Sequence, residues 1–182
     1  MKYIIYILIS FNLMTFTISA EETRQVDKHE HGVGELNIAV EGSTIEFEFM
    51  IPGADIAGFE YVAKSDEDIA KINQALKTFD DYTNIFTIPS NSLCELNGQK
   101  VALKEEDEHD DHDEHDEEAH NEFVAHYSFN CGNVKEIDRI DFPYFNTFPN
   151  SGELEVQFVS GVGSTSFEVE GDKPFIDLKG KI

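Results

Sequence analysis

Apolar and polar positions alternate most strictly between Gly32 and Met50. Leu36, Ile38 and Val40 alternate with Glu35, Asn37 and Ala39; Glu41-Gly42-Ser43 turns the chain; Ile45, Phe47 and Phe49 alternate with Glu46 and Glu48. A period of two on both sides of turn residues predicts a hairpin with one buried face. A loop follows at Pro52-Gly53 and runs on to Glu60. The period changes at Ser65, where Ser65-Asp66-Glu67-Asp68 forms a capping-box pattern with acids in the first helical turn. Ile69, Ile72, Leu76 and Phe79 then recur at helical spacing and give one apolar stripe. Further on, residues 85–88 read as a short strand ended by Pro89, residues 92–103 and 122–131 as extended segments, and residues 134–142 as alternating again. Residues 143–149 form an aromatic loop, and a last hairpin covers residues 153–169 around Ser160-Gly161-Val162-Gly163. The expected fold class is α+β: antiparallel strands and hairpins with one amphipathic helix packed on them.

The N-terminus stands apart from this pattern. Lys2 precedes an apolar run over residues 3–14 that closes on Ser19-Ala20, which reads as a secretory signal peptide over residues 1–20. A membrane anchor is the competing reading, but the run is shorter than the roughly 20 residues a span needs. Residues 21–182 then form a single exported domain with no membrane attachment. The two cysteines, Cys94 and Cys131, are an even count in an exported chain and read as one disulfide. The alternative is a pair of free thiols or metal thiolates. Pairing them across an antiparallel hairpin sets Leu96 opposite Phe129, Val101 opposite Val124, Ala102 opposite Phe123 and His126 opposite Gln99. The hairpin tip then falls beside His112.

Charge changes the picture. Against 13 Lys+Arg the chain holds 37 acidic residues, for a net charge of −24. Such a chain is repelled by nucleic acid and by anionic membrane surfaces and attracts cations, metals among them. Twelve of the acids lie in residues 105–122, EEDEHDDHDEHDEEAHNE, together with His109, His112, His115 and His120. That stretch has no apolar face to pack, so a mobile loop at the hairpin tip is expected there.

Imidazoles set among carboxylates are a ligand set for borderline divalent metals, with oxygens left over to accept from the second ring nitrogen. A solvated acidic spacer is the bland alternative; four histidines in twelve residues favour a metal without choosing which. A second candidate is His29-Glu30-His31, whose imidazoles project to one face if the segment is extended. The competing reading is a flexible terminus with two solvated histidines. His126 reads either as a lone strand histidine or as a further ligand to that pair. No Gly-rich phosphate loop, nucleophile elbow or His-Glu-x-x-His helix occurs, and a bridged cysteine pair offers no thiol, so no enzyme is expected. A calcium-binding or structural β-module is the rival class, yet calcium ignores imidazole and no Asp-x-Asp-x-Asp-Gly-type loop is present. A copper or nickel binder shares the zinc ligand set, and the residues alone do not separate these metals.

The run from His29 to Gly42, HEHGVGELNIAVEG, and the following PGADIAGFE from Pro52 to Glu60 resemble the ZrgA-like zinc-regulated periplasmic proteins of Gram-negative bacteria. The resemblance continues through the helix, the Cys94–Cys131 hairpin with its His/Asp/Glu loop and the last hairpin. It implies a periplasmic zinc-binding protein that helps supply a zinc ABC importer. Carried over by position, His29 and His31 become candidates for the family's ordered site and His109 to His120 for its variable loop. One departure stands out: the family often carries His after the Phe-Glu of that second motif, where this chain has Tyr61. If that His is a ligand, the ordered site here is one ligand short or differently built.

Overall fold

The computed structural model describes residues 32–105 and 120–182. The expected hairpin forms from β1 (Val33–Glu41) and β2 (Thr44–Pro52), turning at Gly42, whose φ of 61° suits glycine. The last hairpin forms from β6 (Glu153–Ser160) and β7 (Gly163–Glu170), and the cysteine hairpin from β3 (Cys94–Glu105) and β4 (Asn121–Cys131). Together they build one six-stranded sheet in the order β3-β4-β2-β1-β6-β7. The expectation of antiparallel strands fails at one place, because β1 and β6 run parallel. Local alternation fixes which face of a strand is buried, not which distant strand lies beside it. Gly34 leaves room on this face for the side chains of both neighbouring strands, since a Cβ there would come within 2.5 Å of Ile51 Cδ1 on β2 and 3.0 Å of Leu154 Cδ2 on β6.

The alternation is realised as one buried and one open face. Leu36, Ile38, Phe47, Phe49, Phe123, Tyr127, Phe129, Val156 and Phe158 point into the core. Their counterparts one residue along, Glu35, Glu46, Glu48 and Glu155 among them, are exposed. On the buried side lies α2 (Asp66–Phe79), capped as expected: Ser65 Oγ accepts from the Asp68 N–H at 3.1 Å and donates to Asp68 Oδ2 at 2.7 Å. Its stripe is narrower than the spacing suggests, since Ile69 is exposed while Ile72, Ala75 and Phe79 are buried. Tyr127 Oη donates to the Phe79 carbonyl at 2.6 Å, tying the helix's last turn to the sheet.

Three local expectations are corrected. Residues 85–88 contribute a single bridge, Thr87 to Asp141, rather than a strand, because the 3-10 turn Tyr82–Asn84 precedes them. The alternating stretch 134–142 divides into the turn Val134–Glu136 and β5 (Arg139–Asp141), which pairs with β8 (Phe175–Asp177) in a separate ribbon. Short helices, α1 (Gly53–Ala57) and α3 (Tyr144–Thr147), occupy what read as loops. Among the described residues no helix is long and apolar enough to cross a membrane.

Candidate metal centre

Cys94 and Cys131 are bonded and sit directly opposite each other, so the disulfide clamps the base of the β3–β4 hairpin. Leu96 faces Phe129 as the sequence implies. Beyond that the register moves by one at a bulge between Leu96 and Gly98, so Ala102 faces Val124, Val101 faces Ala125 and Leu103, not Ala102, faces Phe123. Asn97-Gly98 is turn-type chemistry inside a strand, which is where an extra residue is accommodated. His126 accordingly faces Lys100 rather than Gln99.

The other end of this hairpin is where the chemistry collects. β4 opens at Asn121, β3 closes at Glu105 opposite it, and Glu122 faces Pro52 at the close of β2. The opening residues of β1 and β6, Val33 and Glu153, are paired at the same end. Gly32 and His120 therefore immediately precede strands separated by β2, whose openings lie about two strand spacings or roughly 10 Å apart. His31 adjoins Gly32 in the chain, and the histidine-rich run joins the body at Glu105 and His120. The expected ligands His29, His31, His109, His112 and His115 lie outside the described residues, as does the signal segment 1–20. The two sequence segments that carry them meet the sheet at one edge.

Two carboxylates occupy that edge. Asp55, buried in α1, accepts the Gly32 N–H on Oδ1 at 2.9 Å and so holds the residue beside His31. Burial pushes the nearby Tyr144 phenol well above its usual range, and the Asp55 charge adds to that rise. Glu60 lies in the loop after α1, and its Oε2 is 2.7 Å from His120 Nδ1. The Glu60 side chain is 10% exposed and that of His120 41%, so the carboxylate is the fixed partner and the imidazole is presented outward. In the neutral ring, donation of Nδ1–H to the Glu60 carboxylate leaves the Nε2 lone pair for a metal, the arrangement in which an outer carboxylate orients a metal-binding imidazole.

His126 belongs to no such arrangement. It lies mid-strand on the open face with Glu48 and Lys100 as cross-strand neighbours. Six residues of strand separate it from His120, roughly 20 Å, too far to share an ion. Tyr61 does not replace the histidine often found there: its ring stacks on Phe59 at 4.6 Å and its Oη donates to Asp68 Oδ2 at 3.4 Å, turned toward the start of α2. Among the described residues no three His, Cys, Asp or Glu side chains converge as a metal site. The body offers His120, backed by Glu60, at the edge where the remaining candidate ligands attach. Glu60 and Asp55 escaped the sequence reading because no carboxylate stands out among 37 acidic residues; the signal available was their place in the PGADIAGFE motif.

A β-sheet body that sets one imidazole against a largely covered carboxylate, at the junction of histidine-bearing segments, offers one candidate metal ligand with its outer-shell partner. The sequence pattern of the ZrgA family of zinc uptake proteins matches residues 28–178, and the chain belongs to that family. No curated protein sequence matches it significantly. Family membership gives the chain a zinc-related role, and the disulfide fits a place outside the cytoplasm.

Proposed function

We propose that this protein is a periplasmic zinc-binding protein, not an enzyme, that captures zinc after export and helps supply a zinc importer. The observation that carries the reading is the His120–Glu60 pair at the sheet edge. It fixes one imidazole with its Nε2 outward where the chain segments bearing His29, His31, His109, His112 and His115 join the body. In this reading His120 is an anchor ligand, His29 and His31 complete the ordered site, and the remaining loop histidines with their carboxylates concentrate the cation nearby. Zinc accepts such a mixed imidazole and carboxylate set, usually four ligands in all.

The test is calorimetric zinc titration of residues 21–182 beside a version lacking residues 106–119 and a His120→Ala variant. The deletion is expected to keep one tight site and lose the weaker ones, and His120→Ala to weaken the tight site. Loss of all binding on deletion would make the loop the whole device and remove His29 and His31 from it. Equal affinity in the His120→Ala protein would remove the anchor. Tight binding of calcium that survives replacement of every histidine would favour the oxygen-ligand alternative.

A further inference from the structure

Asn121 is 2% exposed and opens β4 immediately after His120. Its backbone N–H donates to the Glu60 carbonyl at 2.8 Å, and its side-chain Nδ2 donates to the Tyr61 carbonyl at 2.9 Å. One residue thus grips two successive carbonyls of the loop that carries Glu60. That loop has no regular secondary structure. Its apolar anchor is Phe59, and the Asn121 hydrogen bonds hold it from the polar side. The remaining amide atom, Oδ1, is buried without a hydrogen-bond partner among the described residues and lies against Gly53. A Cβ at residue 53 would collide with Oδ1 and come within 2.7 Å of the Phe59 carbonyl. Burying an amide oxygen with no donor is costly. The geometry that accompanies this cost is a Glu60 main chain placed beside His120.

We propose that Asn121 is the positioning residue of the metal centre: by holding the Glu60–Tyr61 main chain it sets the Glu60 carboxylate against His120 Nδ1 and so leaves Nε2 to face the metal. Gly53 is the matching half of the device, since it alone leaves room for the amide. The inference rests on the reading of His120 as a zinc ligand.

The experiment uses residues 21–182 and two readouts: zinc affinity by competition with a chromophoric chelator, and the 15N shifts of His120 in the metal-free protein, which report which ring nitrogen carries the proton. Asn121→Asp keeps the side-chain shape but turns an acceptor toward the Tyr61 carbonyl. It is expected to weaken zinc binding about tenfold, the lower end of what loss of an outer-shell partner costs. It is also expected to mix the two His120 tautomers, a change that a loss of global stability does not produce. Asn121→Ser, which shortens the side chain without adding charge, carries the same test should the Asp variant not fold. If the Asn121 variants retain wild-type affinity and a single tautomer while Glu60→Gln and His120→Ala weaken zinc, the inference is overturned and the zinc reading stands. If Glu60→Gln and His120→Ala leave affinity untouched, the zinc reading fails. The tautomer measurement then still decides whether Asn121 places Glu60.

Discussion

Glu60 Oε2 and His120 Nδ1 lie 2.7 Å apart although sixty residues of chain separate them. One belongs to an irregular loop after α1 and the other to the first step into β4. The pair exists because Glu122 registers against Pro52, which brings the close of β2 and the opening of β4 together. A carboxylate held in this way fixes the orientation of the ring and the direction its opposite nitrogen faces.

Replacing Glu60 by Gln keeps the side-chain length and an acceptor oxygen but removes the charge. Zinc affinity of the ordered site should fall about tenfold, with little change in thermal stability. Chelator competition beside a thermal melt measures both. A melt that shifts with unchanged zinc affinity would make Glu60 a structural residue only.

Much of this arrangement was legible in the sequence, and the rest was not for identifiable reasons. Strict alternation gave β1 and β2 their faces, and Ser65 gave the start of α2, because those signals are local. The parallel pairing of β1 with β6 was hidden because it joins strands more than a hundred positions apart. The register of β3 on β4 was readable from the disulfide as far as Leu96 and Phe129, then slipped by one at the bulge before Gly98. His120 was singled out as one histidine among four in an acidic run. Only the fold sets it apart, by placing it just before β4 with Nδ1 against the Glu60 carboxylate.

His126 provides a control within the same strand. It stands roughly 20 Å from His120 along β4. His126→Ala should therefore leave the ordered zinc site unchanged, within twofold by chelator competition. A loss of tenfold or more would place a ligand on the open face of the sheet and contradict the single-edge arrangement.

Tyr127 links stability to alkaline pH. Burial, reinforced by Asp80 and Asp81, raises its phenol well above the ordinary value near 10. A group whose folded value is raised stabilises the fold fully below its unfolded value and loses that contribution as pH rises toward the folded one. Urea midpoints should thus hold steady up to about pH 9 and fall steeply above about pH 10. Tyr127→Phe loses the bond to the Phe79 carbonyl, at about 1 kcal/mol, and should show a shallower alkaline decline. Tyr144, also raised by burial, contributes in the same direction. Parallel declines in wild type and Tyr127→Phe would assign the alkaline loss elsewhere.

The disulfide sits at the opposite end of β4 from the His120–Glu60 pair, about eleven strand steps or roughly 37 Å away. It closes a sequence separation of 37 residues, for which restriction of the unfolded chain amounts to roughly 4 kcal/mol. Cys94→Ala/Cys131→Ala should therefore lose stability of that order in urea unfolding. Residues of β2 pair with β4 from Glu122 to Asn130, and Asn121 bonds to the Glu60 carbonyl, so the opening of β4 is held without the clamp. Zinc affinity of the fraction still folded at 25 °C should then match wild type. If affinity falls with stability, the two ends of the hairpin are mechanically coupled, and oxidation of the cysteines becomes a condition for zinc capture rather than only for folding.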